Sequence, residues 1–220
     1  MIVAIDGPAG AGKSTVAKIL AKRLGFLYID TGAMYRALTL KVLENKIDIH
    51  DEDKINALAL NSTIDLRNNP DGSLNIILDG KDVSLEIRQP RITQVVSDVS
   101  KIKWVRQILV KMQRELGEKG DCVLEGRDIG TVVFPHAERK FFIDASAQVR
   151  VDRRFKELKA VNHNIAEEDV AKDLTNRDKI DSTREVSPLR KAEDAIYIDT
   201  TQLSIEGVVD KILELCKING

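Results

Sequence analysis

The segment that most constrains this chain lies near its start. An apolar run, Ile2-Val3-Ala4-Ile5, leads into Gly7-Pro8-Ala9-Gly10-Ala11-Gly12-Lys13-Ser14, and Val16, Ala17, Ile19, Leu20 and Leu24 then recur at helical spacing. The order predicts strand, loop and helix, and the loop matches G-x-x-x-x-G-K-[ST] in the context that gives the pattern meaning. Small residues let backbone N–H groups wrap a phosphate, and the following helix N-terminus adds a favourable dipole. Lys13 is then placed to neutralise the β- and γ-phosphates of a nucleotide, and the Ser14 hydroxyl to hold Mg²⁺. The structural alternative is a glycine-rich turn followed by a surface lysine.

The rest of the chain supports an α/β reading. Its 220 residues suit one domain with room for insertions. Leu27-Tyr28-Ile29 predicts a second buried strand, with Thr31 capping a helix that carries Met34, Leu38, Leu40 and Leu43. Cys122 to Leu124, Lys140 to Ile143 and Ala195 to Ile198 are further short apolar strands, and alternation with helices implies a parallel sheet covered on both faces. Ile205 to Ile218 reads as a closing amphipathic helix with Val208, Val209, Ile212, Leu213 and Cys216 on one face.

Two stretches depart from that rhythm. Between Thr63 and Val83 the pattern alternates, with turn signals at Asn68-Asn69-Pro70-Asp71-Gly72 and Asp79-Gly80, which predicts an inserted antiparallel meander. Arg150 to Lys191 is highly charged, with little apolar content beyond Phe155, Leu158, Val170 and Leu174, and reads as a solvated helical hairpin.

Acidic and basic residues number 35 and 34, so no general attraction to nucleic acid or an anionic membrane is expected, and any anion site must be local. Cys122 and Cys216 lie in apolar segments without ligand-like spacing and are expected to be core thiols in a reducing compartment. The first apolar run is too short for a signal sequence or a bilayer span, so a cytoplasmic protein is expected, and with no long apolar stripe demanding a partner a monomer is the default expectation. Asn45-Lys46-Ile47-Asp48 spells the guanine-reading N-K-x-D, but it follows a helix rather than a late strand, and D-x-x-G is absent. It is read as a helix end and loop.

Three longer motifs carry a resemblance: Asp30-Thr31-Gly32-Ala33-Met34-Tyr35-Arg36, Gly126-Arg127-Asp128-Ile129-Gly130-Thr131-Val132-Val133-Phe134-Pro135 and Arg184-Glu185-Val186-Ser187-Pro188-Leu189. With the phosphate loop, they make the chain similar to the bacterial cytidylate kinases over nearly its whole length. The resemblance implies a three-layer P-loop fold in a single kinase domain, 1–220, with a nucleoside-monophosphate-binding insert at about 62–88 and a helical lid at about 150–190. It implies transfer of the γ-phosphoryl group of ATP, with Mg²⁺, to CMP or dCMP. Two alternatives are another acceptor, such as UMP, AMP or shikimate, and a nucleotide-binding regulator that has no acceptor.

Residue roles follow from the same resemblance. Gly7, Pro8, Ala9, Gly10, Ala11, Gly12, Lys13, Ser14 and Thr15 would hold ATP, joined by Arg153 from an Arg150, Arg153 and Arg154 cluster in a lid that closes over it. Lys13, Arg127 and Arg177 would carry catalysis, and Arg36 and Arg127 would take the acceptor phosphate. Asp128, Arg106 and Arg184, assisted by Thr31, would read the base; Ser97, Arg177 and Asp181 would address the pentose, and Tyr35 is counted among the substrate contacts. Such a set suits phosphoryl transfer, where an acceptor oxygen that is already anionic needs positioned cations rather than a strong base. For each arginine the ordinary alternative is a solvated face or a surface ion pair, and for Asp128 it is a cap after a strand.

Overall fold

The computed structural model describes residues 1–161 and 165–217. Strands β1 (Ile2–Asp6), β2 (Leu27–Asp30), β6 (Cys122–Gly126), β7 (Arg139–Asp144) and β8 (Ile196–Asp199) form a parallel sheet in the order β2-β6-β1-β7-β8. Most of these strands are apolar almost throughout because helices cover both faces. Successive residues serve opposite layers. Val3 and Ile5 pack with Val16 and Leu20 of α1 (Lys13–Leu24) and Val208 and Ile212 of α8 (Ile205–Lys217). Ala4 instead joins Met34 and Leu38 of α2 (Thr31–Glu44), Val99 of α4 (Pro90–Lys101) and Leu109 of α5 (Lys103–Gly117). Both cysteines are buried free thiols, as expected.

The inserted meander is β3 (Ile64–Asn68), β4 (Leu74–Leu78) and β5 (Lys81–Asp82), preceded by α3 (Glu52–Leu60). Its antiparallel register, Ile64 against Leu78 and Leu66 against Ile76, turns those four residues toward the same core as α2. Asn68 ties it to the main sheet: its side-chain carbonyl accepts from the Tyr28 N–H at 3.0 Å and its NH₂ donates to the Tyr28 carbonyl at 3.1 Å. The charged segment forms α6 (Ala147–Val161) and α7 (Glu167–Thr183). Its inner side is less solvated than its composition suggests, since Val170 and Leu174 are buried against Ala9 of the phosphate loop, with Val151 and Phe155 packed beside them.

Several details depart from the sequence reading or extend it. Thr31 does not cap α2: the Asp30 carboxylate accepts the Ala33 N–H at 2.9 Å, while Thr31 is the first helical residue and its hydroxyl donates to the Glu125 carbonyl at 2.7 Å. A carboxylate is the stronger acceptor at a helix N-terminus, which frees the hydroxyl for the strand. Asn45 and Lys46 do end α2 in a loop, Lys46 with φ 54°. Helices α3, α4 and α5 were not anticipated, and the last two carry Ser97 and Arg106. The closing helix is described to Lys217, so Ile218 lies outside the described residues, as do 162–164 of the expected lid. Among the described residues no helix is long and apolar enough to cross a membrane.

Gly7 shows how tightly the loop leaves the sheet. Its φ is +148°, and a Cβ there would lie 1.9 Å from the Ile143 carbonyl oxygen of β7. Gly7→Ala should therefore lower unfolding stability by at least about 2 kcal/mol, because two backbones would have to part. Urea unfolding measures it, and a loss below about 0.5 kcal/mol would contradict the geometry.

Candidate active site

Strand register decides which side chains can meet. Asp6 pairs with Gly126 across β1 and β6, and Asp30 pairs with Glu125 across β2 and β6. The carboxyl ends of three strands are thus level, and the loops leaving them open into one cleft where the chain order reverses about β1, the place where parallel sheets receive ligands. The cleft encloses about 1140 Å³, part of it open to solvent, and seven basic and five acidic residues line it.

One end is the phosphate loop. Lys13 is buried, and its Nζ donates to the Pro8 carbonyl at 2.7 Å. Burial, reinforced by the charge of Arg127, lowers its pKa to about 7 against the opposing pull of Glu125, Asp181 and Asp6. An anion placed beside it restores its charge. The Ser14 hydroxyl donates to Glu125 at 2.9 Å, and the Tyr28 hydroxyl donates to the other Glu125 oxygen at 2.5 Å. Burial, helped by Asp30, raises the Glu125 carboxyl even so. Helices α6 and α7 grip the same loop: Arg150 donates to the Ala9 carbonyl at 3.1 Å and to Asp178, while Asp178 accepts the Ala9 N–H at 3.4 Å.

The other end holds a line of alternating charge. Arg106 donates to Asp128 at 2.6 Å; Asp128 lies 3.8 Å from Arg184, Arg184 lies 3.6 Å from Asp181, and Asp181 accepts from Arg127 at 2.8 Å. Arg106 is 2% exposed and Asp128 4%, so the pairing is obligatory rather than decorative. The Arg106 guanidinium also lies over the Tyr35 ring, 5.2 Å from its centre. Arg106 Nε, Arg154 Nε, Arg177 Nε, Arg184 Nη2 and the Tyr35 hydroxyl have no hydrogen-bond partner among the described residues. Buried donors in that condition are costly. Nearby, burial and then Arg177 and Arg154 lower the Arg36 pKa to about 10, and burial and then Arg127 lower that of Arg177. Mutually repelling guanidinium groups form a position for an anion.

Most residues named from sequence therefore converge. Ala9, Gly10, Gly12, Lys13, Ser14, Thr15, Thr31, Tyr35, Arg36, Ser97, Arg106, Arg127, Asp128, Arg177, Asp181 and Arg184 all line the cleft. Gly7, Pro8 and Ala11 do not line it, and Arg153 donates to Thr200 at 3.0 and 2.8 Å and to the Ala11 carbonyl at 3.4 Å, while Arg154 lines the cleft. Sequence reasoning missed Asp6, Asp30, Glu125 and Asp178. A signal existed for the first three, since a carboxylate ending an apolar strand is expensive unless it has work to do.

Glu125 yields a pH dependence with a definite sign. Its pKa rises from 4.5 to about 7 on folding, so its contribution to stability is fully present below 4.5 and is lost as pH rises through 7. In ligand-free protein, Glu125→Gln should gain on the order of 2–3 kcal/mol relative to the parent between pH 4.5 and 8. Urea unfolding in EDTA tests this, and a difference constant with pH would refute it.

Comparison with known proteins agrees with the geometry. The family model for cytidylate kinase matches residues 3–218. A cytidylate kinase of Caldicellulosiruptor bescii is 53% identical over 97% of this chain and 94% of its own length. One from Caldanaerobacter subterraneus subsp. tengcongensis is 54% identical over 99% of this chain and 95% of its own. Among solved structures, an uncharacterized protein from Eubacterium ventriosum shares the fold, with a TM-score of 0.54, 14% identity, and coverage of 100% of this chain and 99% of that one. With a phosphate loop at one end of its cleft, a buried arginine–aspartate line at the other and such relatives along its length, the chain belongs to the cytidylate kinase family.

Proposed function

We propose that this chain transfers the γ-phosphoryl group of ATP to CMP or dCMP, giving ADP and CDP or dCDP, as a cytoplasmic monomer. The observation that carries the reading is the cleft with two unlike ends: a phosphate loop at one, and at the other buried arginines whose N–H groups lack partners. ATP occupies the first with its phosphates on the 7–15 backbone and Lys13. The acceptor phosphate takes the second, held by Arg36, Arg127 and Arg177. Its attacking oxygen is anionic at neutral pH, so positioning and charge neutralisation supply the catalysis.

Mg²⁺ fits the donors at the loop. The Ser14 hydroxyl and the Glu125 carboxylate are hard oxygen donors, and among the described residues no group of three or more His, Cys, Asp or Glu could hold an ion alone. Phosphate oxygens and water would complete its shell. When bound, the ion supplies neutralisation of phosphate charge. Glu125 keeps Ser14 oriented, and Tyr28 keeps Glu125 oriented.

Base selection rests on Asp128. Its carboxylate accepts from the cytosine amino group while Arg106 and Arg184 donate to N3 and O2, and Ser97 and Asp181 take the pentose. Uracil offers the carboxylate a carbonyl and offers a guanidinium an N–H, so both contacts are mismatched. Polar sites reject such analogues strongly because buried groups are left unpaired.

An ADP-release assay across CMP, dCMP, UMP, AMP and shikimate tests the proposal directly. CMP and dCMP should exceed UMP in kcat/KM by several hundredfold, an order-of-magnitude expectation from unpaired buried polar groups; equal turnover of CMP and UMP, or ATP hydrolysis independent of acceptor, would overturn it. Lys13→Ala should lower kcat about 10²–10³-fold with the fold intact, since it removes charge from the transferring group. Asp128→Asn presents an amide that can accept from cytosine or donate to uracil, so it should narrow the CMP to UMP ratio at least about tenfold. Equal losses on both substrates would move Asp128 out of the base pocket.

A further inference from the structure

Asp6 ends β1, immediately before the phosphate loop, and is 4% exposed. Its side chain bonds the segment after β6: Oδ1 accepts the Ile129 N–H and Oδ2 the Gly130 N–H, both at 2.8 Å. Those N–H groups open the short turn Ile129–Val133 that follows Asp128. The turn is wider than an α-helix, with the Val133 N–H reaching the Asp128 carbonyl at 3.1 Å and the Phe134 N–H reaching the Ile129 carbonyl at 2.7 Å. Turns with this i to i+5 bonding are rare and occur frequently at functional sites.

Asp128 makes no side-chain capping bond to the turn it precedes. Its carboxylate is committed to Arg106 and Arg184. The capping work falls to a carboxylate from another strand, leaving Asp128 free to face the cleft. Gly126 fixes the approach from the other side, since a Cβ there would lie 2.7 Å from both Ile129 Cδ1 and Thr31 Oγ1.

We infer that Asp6 is a positioning residue for acceptor-base selection: by holding the Ile129 and Gly130 N–H groups it sets where the Asp128 carboxylate stands between Arg106 and Arg184. It touches neither substrate and acts through Asp128, and the inference rests on the proposed role of Asp128 in reading cytosine. Burial pushes the Asp6 carboxyl up to about 6, opposed by its two backbone bonds and by Lys13 and reinforced by Asp128. At pH 8 it is ionised, the form that accepts two N–H bonds.

Asp6→Asn, Asp128→Asn and the double variant, assayed at pH 8 with CMP and UMP at varied ATP, test it. Asp6→Asn turns an NH₂ toward one of the two backbone donors, so the CMP to UMP ratio of kcat/KM should fall about tenfold while the KM for ATP changes less than about twofold. If Asp6 works through Asp128, the double variant should show nearly the ratio of Asp128→Asn alone, the non-additivity expected of residues acting as a unit. An unchanged ratio, additive losses, or a KM for ATP that rises while the ratio holds would overturn the inference and leave Asp6 a prop for the phosphate loop. Asp6→Ser, with one small acceptor, stands in if Asp6→Asn does not fold, and failure of both to fold would likewise overturn it. A wild-type enzyme with no preference for CMP would sink the base-reading proposal itself, whereas a preference that survives in Asp6→Asn sinks only this inference.

Discussion

Arg106, Asp128, Arg184, Asp181 and Arg127 make one line of alternating charge along the cleft floor, and the rest of the active site depends on it. Burying a guanidinium is costly unless a carboxylate meets it in good geometry, and removing one member of such a pair typically costs about 3–5 kcal/mol. The line therefore does more than hold side chains. Its members come from α5, from the segment after β6 and from the end of α7, so the line closes only when those elements dock together. Guanidinium groups outnumber carboxylates along it, and Arg106 Nε and Arg184 Nη2 have no hydrogen-bond partner among the described residues. A negatively charged, acceptor-rich ligand of the kind proposed above would complete the arrangement.

Backbone geometry makes that line attainable. The level ends of β1, β2 and β6 set Asp6, Asp30 and Glu125 side by side, each supporting a neighbouring protein group. Asp30 caps α2, Glu125 gathers Ser14 and Tyr28, and Asp6 holds the turn after Asp128. The acidic ends of the strands thus support the cleft, Asp30 and Glu125 from its lining and Asp6 through the turn after Asp128. Helices α6 and α7 meet the phosphate loop beside these strand ends: Val170 and Leu174 are buried against Ala9, and Arg150 and Asp178 bond its backbone. The apolar contact is small, three buried residues with Val151, Phe155, Leu158 and Ile165 packed beside them, so polar bonds carry much of the attachment of α6 and α7 to the loop.

Much of this was legible in sequence because the signals were local. Gly7 to Ser14 between an apolar strand and a helix specifies the loop, and turn residues between alternating segments specify the meander. What escaped depends on pairing across long separations. Nothing near Glu125 in the chain says that Ser14 and Tyr28 will donate to it, because that follows from strand order and register. Thr31 looked like a helix cap because hydroxyls favour that position, yet its neighbour Asp30 competes better. Arg153 and Arg154 are adjacent in a charged helix, and only its packing against Thr200 sends the first to the loop wall and leaves the second lining the cleft.

The central claim is that the arginine–aspartate line is a receptor for a cytosine nucleotide, and a crystal structure of the protein with CMP tests it most directly. The account predicts the cytosine amino nitrogen within hydrogen-bond distance of Asp128, about 2.7–3.2 Å, with the phosphate among Arg36, Arg127 and Arg177. A base directed to solvent, or CMP seated with its phosphate on the 7–15 loop and Asp128 still bonded only to its arginines, would contradict it.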